Sequence, residues 1–201
     1  MNPEAIVEDG YDKIYQLYHQ RRASRFWFLS PDLGAFTKRL EPGSSILDVG
    51  CGSGYVASIL EGKGFMVTGV DVSKNMLELA RKNSPRSTFL KMDMRRLVFA
   101  DGSFDGIICF YSIIHVPRRY HLSILGKFWR ILRADGLLAI HMGWRDSTGI
   151  EEDWLGAPMY WSNFGKEKNL ALIRKAKFKV LLSRESKQRD GRHLFMVVQK
   201  A

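Results

Sequence analysis

Apolar residues in the first forty positions fall at roughly helical spacing: Ile6, Tyr11, Ile14, Tyr15, Leu17 and Tyr18 predict one helix. A basic cluster follows at Arg21, Arg22 and Arg25, and Phe26-Trp27-Phe28 leads into Ser30-Pro31, a helix start with proline at the first position. That start predicts a second helix from about Pro31 to Leu40, ending before Pro42-Gly43. From residue 45 the rhythm changes. Short apolar, β-branched runs predict strands at Ser45–Val49, Phe65–Val70, Thr88–Lys91, Phe104–Phe110 and Leu137–Met142. Helical patterns lie between them at Tyr55–Glu61, Lys74–Lys82 and Tyr120–Leu132. This alternation predicts βαβ units and a parallel sheet covered on both faces, an α/β fold. After the fifth strand it stops. Residues 143–165 collect Trp144, Trp154, Met159, Tyr160, Trp161 and Phe164, and are expected to lie as an aromatic insertion over one end of the sheet. A helix at Lys166–Ala176 and two strands, Lys179–Arg184 and His193–Val198, complete the pattern. The strands flank a polar turn, Glu185–Arg192, and read as an antiparallel hairpin.

Composition narrows the function classes. A chain of 201 residues suits one domain with an insertion, and 45% hydrophobic with 26% charged residues is ordinary globular usage. Two cysteines, Cys51 and Cys109, make neither a disulfide framework nor a four-thiolate zinc site, and no metal is expected. The longest mostly apolar run, Gly106–Val116, is too short to span a membrane. Met1–Gly10 carries three acidic residues and no apolar stretch, which predicts neither a secretory signal nor a transit peptide, and a cytoplasmic protein. The net charge of +10 admits a polyanionic partner, an acidic substrate or a well-solvated surface.

The chemistry concentrates in Ile46-Leu47-Asp48-Val49-Gly50-Cys51-Gly52-Ser53-Gly54, an apolar strand ending at an acid, then alternate glycines, then a helix. Such a bend brings bare backbone and a helix N-terminus close to a carboxylate or phosphate. Asp71 closes the second strand 23 residues after Asp48, where an acid accepts hydrogen bonds from ribose hydroxyls. The glycine spacing differs from the dinucleotide fingerprint. It favours a nucleoside attached to a small zwitterion over a pyrophosphate.

These residues resemble the class I S-adenosylmethionine-dependent methyltransferases. Asp48 through Gly54 is similar to their first motif and Asp71 to their ribose-binding acid. Lys91-Met92-Asp93-Met94 is similar to the segment that binds adenine, Phe104 through Ser112 to the fourth strand and its end, and Tyr11-Asp12, Tyr18 and Arg22 to a helix that caps the cofactor. The resemblance implies a Rossmann-like seven-stranded sheet, mostly parallel with the last strand antiparallel, helices on both faces and an N-terminal helical cap. It implies one domain over residues 1–201, with the cap at 1–41 and the insertion at 143–165. S-adenosylmethionine is the implied cofactor and S-adenosylhomocysteine its product. The implied cofactor contacts are Tyr11, Tyr18, Asp48, Gly50, Cys51, Gly52, Ser53, Gly54, Asp71, Val72, Met76, Asp93, Met94, Phe110, Tyr111 and Ser112. Cys51 is expected to act through its backbone rather than as a nucleophile, Cys109 to be core, and Met76 to serve packing as much as contact.

Methyl transfer needs a base only when the acceptor must lose a proton. His115, after the fourth strand, is the candidate, with His141 behind it and His193 weaker still. Arg22, His141, Trp144, Tyr160 and Trp161 are the expected acceptor contacts, an aromatic wall that suits a modest organic molecule. Nucleic-acid methylation is the main competitor, motivated by the charge and by Lys166, Lys168, Arg174, Lys175, Lys177 and Lys179. Against it, Phe110-Tyr111-Ser112-Ile113 stands where base-amino methylases carry a proline-proline-aromatic motif. A non-catalytic cofactor binder is the third class. The sequence sets no oligomeric state.

Overall fold

The structure, a computed structural model, describes residues 2–23, 30–188 and 191–201. The predicted lead-in Phe26-Trp27-Phe28 lies outside the described residues. Two helices, α1 (Pro3–Ala23) and α2 (Ser30–Thr37), precede a sheet built from β1 (Ser45–Val49), β2 (Met66–Asp71), β3 (Thr88–Lys91), β4 (Phe104–Cys109), β5 (Leu132–Gly143), β8 (Phe178–Gln188) and β9 (Gly191–Lys200). Helices α3 (Tyr55–Gly62), α4 (Lys74–Asn83), α5 (His121–Ile131) and α6 (Lys166–Lys175) connect them. The strand order is β3-β2-β1-β4-β5-β9-β8. The first five strands pair in parallel, and β9 runs antiparallel to both of its neighbours, β5 and β8. The central strands carry near-continuous apolar runs because both faces are covered. Ile46, Leu47, Ile107, Ile108, Leu138 and Ile140 are fully buried, packed under Phe36 of α2 and Phe128 of α5.

The chain leaves β1 toward β2 and β3, then returns to its other side with β4. Strand ends diverge at that reversal and open a crevice at the C-terminal tips of β1 and β4. Helix α1 lies across it. Asp12 fastens the helix there, accepting from the Ser73 hydroxyl at 2.5 Å and the Asn75 amide at 3.1 Å, at the start of α4.

Two segments differ from expectation. The insertion is a hairpin of its own, β6 (Ser147–Trp154) and β7 (Ala157–Asn163), forming a separate two-stranded sheet. Ala157 and Met159 turn inward to pack with Val7 and Ile14 of α1, while β6 is exposed along nearly all its length. A strand wet on both faces has no apolar alternation to betray it. The final hairpin is also longer than predicted. Glu185 pairs with Leu194, Ser186 with His193 and Lys187 with Arg192, so most of the expected turn is strand.

Behind β5 and β8 sits a buried ionic knot. Asp32, at the start of α2 and 3% exposed, meets His141 Nε2 at 2.9 Å, accepts from the Ser186 hydroxyl at 3.2 Å, and accepts from Arg184 Nε at 3.1 Å and also from its Nη2. Burial pushes the Asp32 carboxyl up, but His141 and Arg184 hold it below the usual carboxylate range. Asp32→Ala removes the buried partner of His141, a loss that costs about 3 kcal/mol, while the half-exposed Arg184 can turn to water. Urea unfolding is expected to show this as a lowered midpoint with unchanged slope; an unaltered midpoint would mean the knot adds nothing.

Candidate active site

The loop after β1 is shaped by what it must pass. Gly50 has φ 71°, and a Cβ there would stand 2.2 Å from the Ser112 Cβ; Gly54, φ 73°, would meet the Ala80 Cα of α4 at 2.7 Å. Gly54 thus serves helix packing and does not line the crevice, a correction to its expected contact with the cofactor. Gly52 differs: open space lies where its Cβ would be, and it lines the cleft. Its amide donates to Asp71 Oδ2 at 2.8 Å, and the Ser73 amide donates to Oδ1 at 2.9 Å. Asp71 is therefore aimed by its own strand end. Burial pushes its carboxyl up, against the pull of these amides.

One elongated cleft is lined by Gly50, Gly52, Asp71, Val72, Met76, Asp93, Met94, Phe110, Tyr111 and Ser112, with Tyr11 and Tyr18 from α1 above. A shallower recess beside it is lined by Asp48, Cys51 and Ser53. Cys51 stays a thiol, since burial and then the charges of Asp71 and Asp48 push it up; burial also pushes Cys109, in the core, up to about 12. Sequence reasoning missed Glu4, Val7 and Arg95, which line the same cleft; Met92, inside the segment likened to an adenine site, lines it too. Arg95 alters the expected role of Asp93. Its Nε reaches both Asp93 oxygens, at 3.1 and 2.9 Å, and its amide donates to Oδ1 at 2.8 Å. Burial raises the Asp93 carboxyl but these bonds bring it below the usual range, so an adenine amino group would share this carboxylate with Arg95.

Asp48 tests the fit to S-adenosylmethionine. Its Oδ2 is buried and has no hydrogen-bond partner among the described residues. Burial, and after it the charge of Asp71, pushes its carboxyl up to about 7. An unpartnered buried acceptor beside a glycine loop suits a ligand ammonium, and a second strand-end carboxylate, Asp71, stands close enough to charge it. The residues fit. Because the folded carboxyl sits above its ordinary 3.8, the folded chain binds the extra proton, and this group's stability contribution is lost as pH rises from about 4 to about 7. Binding an ammonium expels that proton. Calorimetry of S-adenosylhomocysteine is expected to show about one proton released at pH 6 and almost none at pH 8, with affinity rising between them. Asp48→Asn should abolish the release; an equal release in the variant would exclude Asp48.

Beyond the cleft lies a second chamber, under β6 and β7, lined by Ile150, Glu151, Trp154, Trp161, Asn163, Arg192 and His193. Tyr11, Tyr111 and His115 line both spaces. His115 follows β4 in a short 3-10 turn, Ile113–His115. Its Nδ1 lies 2.9 Å from the Tyr160 carbonyl oxygen, and its Nε2 lies 2.9 Å from the Tyr11 hydroxyl. A carbonyl only accepts, so Nδ1 carries the hydrogen, and the neutral ring offers Nε2 to the Tyr11 O–H. Trp161 stands 4.4 Å from the imidazole, centroid to centroid, and Trp154 packs against Tyr11, Tyr18 and Trp161.

The expected acceptor contacts are placed unevenly. Trp161 lines the chamber. Tyr160 supplies its carbonyl to His115, while its hydroxyl meets Thr148 at 3.3 Å and its ring lines neither space. Trp144 lines an adjoining groove instead. His141 is overturned as a contact: it is fully buried, bonded to Asp32 and stacked 4.1 Å beneath Tyr111. The Arg22 side chain lies outside the described residues. Trp154 and Glu151 were missed as site residues; a tryptophan inside an expected insertion was the available signal.

A family model described as a methyltransferase domain matches residues 47–140. Methyltransferase GfsG of Streptomyces halstedii is 41% identical over 105 residues, covering 49% of this chain and 37% of that protein. The dTDP-3-amino-3,6-dideoxy-alpha-D-glucopyranose N,N-dimethyltransferase of Streptomyces fradiae is 30% identical over 146 residues, covering 71% of this chain and 56% of that protein. The chain spans 37% to 59% of the length of the first curated relatives it matches. Among solved structures, magnesium protoporphyrin IX methyltransferase (ChlM) from Synechocystis PCC 6803 with bound SAM superposes with a TM-score of 0.80 at 14% identity, covering 100% of this chain and 98% of that one. That likeness shows the fold.

Proposed function

Since the chain carries the methyltransferase domain of the class I S-adenosylmethionine-dependent enzymes, we propose that it methylates a small organic acceptor, with residues 1–201 working as one such domain. One observation carries this reading: the Tyr11–His115 pair stands where the nucleoside cleft meets an aromatic chamber. The cofactor, when bound, supplies a methyl carbon already activated by its sulfonium. The chain's part is to hold, align and exclude water. Asp71 takes the ribose diol and Asp48 the ammonium. Val72, Met76, Met92 and Met94 give the adenine an apolar seat. Tyr11, Tyr111, Trp154 and Trp161 wall the acceptor. His115 Nε2 receives the acceptor's proton through the Tyr11 phenol, and the Tyr160 carbonyl steadies the resulting imidazolium. The acceptor named for the Streptomyces fradiae relative is a small sugar nucleotide, which favours a small-molecule acceptor here.

The basic residues of α6 and its flanks keep an RNA acceptor as the second reading. Among the described residues no helix is long and apolar enough to cross a membrane. Methyl-labelled S-adenosylmethionine, incubated with the protein and separate metabolite and RNA pools, discriminates the readings. Label in the metabolite pool is expected. Label in RNA alone overturns the proposal, and cofactor binding without label in either pool favours a non-catalytic binder.

A further inference from the structure

The aromatic chamber continues into a groove lined by Gly143, Trp144, Arg145, Ser147, Asn163, Arg192 and His193, the last three and Ser147 being shared with the chamber. The two spaces differ in charge. The chamber holds one carboxylate, Glu151, which accepts from Trp161 Nε1 at 3.2 Å; the groove is lined by two arginines and no carboxylate. Arg192 is set in place by Glu185 and by the Trp144 ring, whose centroid lies 4.8 Å from its guanidinium carbon, and Lys166 Nζ approaches the same ring at 5.4 Å. Arg145 is exposed and pairs with no carboxylate among the described residues; the neighbouring Asp146 is engaged by Arg118 and the Gly165 amide.

We infer that the acceptor is a flat organic acid: its reacting hydroxyl or amine lies in the chamber against Tyr11 and His115, and a carboxylate or phosphate at its far end lies between Arg145 and Arg192. This rests on the proposed methyl transfer and names the substrate class. Rings stack on rings in the chamber. An unpaired guanidinium offers a fork of donors to an oxyanion, and Arg192 is already oriented by its own partners. An uncharged acceptor would leave Arg145 without use, and a polynucleotide would need a track of cations rather than a groove that ends at the chamber.

The test is direct binding to the S-adenosylhomocysteine-loaded protein, read by quenching of tryptophan emission. The probes are 3,4-dihydroxycinnamate, its methyl ester and a phenyl phosphate bearing a free phenol. The acid and the phosphate are expected to bind more tightly than the ester, by about fivefold for each arginine engaged. Arg145→Ala with Arg192→Ala should erase that preference, and Arg145→Glu should reverse it. The ratio of the two aryl anions decides which oxyanion the groove takes. Equal binding of acid and ester, binding of no probe, displacement of the acid by RNA but not by excess benzoate, or a preference that survives in the double variant overturns the inference. Failure of methyl transfer itself would appear separately, in the labelled-pool assay.

Discussion

Asp71→Ala is expected to weaken S-adenosylhomocysteine binding by at least about a hundredfold. Two ribose hydroxyls lose a charged acceptor, and each such bond is worth about 1.5–3 kcal/mol. The same carboxylate braces the Gly52 and Ser73 amides, so the glycine loop loses its support as well. Asp71→Asn keeps one oxygen acceptor and should fall between. Titration calorimetry measures all three proteins, and an unchanged dissociation constant in the alanine variant would remove Asp71 from the site.

His115→Ala should lower turnover by about 10²–10⁴-fold, the usual worth of a positioned base, while cofactor affinity changes little. Tyr11→Phe keeps the wall but cuts the proton path to Nε2, and should lose most of the same factor. Combining the two substitutions should cost scarcely more than one, because they interrupt a single path. Single-turnover rates with the acceptor found by labelling give the comparison. Independent, multiplying losses would separate the two residues, and unaltered turnover in His115→Ala would leave the histidine a structural part of the loop.

The central strands were legible because they are buried on both faces: β1 begins and ends where its apolar run does, β2 is shifted by one residue at both ends, β4 stops one residue earlier, and β5 begins five residues before its apolar run; β3 matches its predicted bounds although it is mostly exposed. The cofactor side was legible for a related reason. Bare backbone and a strand-end acid leave a one-dimensional trace, and Gly50, Gly52 and Asp71 line the cleft. The acceptor side was not. Its wall includes β6, whose polar residues carry no periodicity, and the Tyr11–His115 hydrogen bond joins residues 104 positions apart. His115 was readable from its place after β4, but that Tyr11 would bind its Nε2 was not, and Tyr11 was assigned to the cofactor alone. His141 misled because a strand-end histidine looks the same in sequence whether it faces a ligand or an aspartate.

Helix α1 and the β6–β7 hairpin meet through Val7, Ile14, Ala157 and Met159, and among the described residues the hairpin has no strand pairing to the main sheet. Roof of one room and wall of the next are thus a single piece of masonry. A swing of α1 must either break its packing on the hairpin or pull the hairpin from its bonds to His115 and Arg118, and both disturb the neighbouring room. A nucleoside and a guest seated in the two rooms would share that one piece as their common partition.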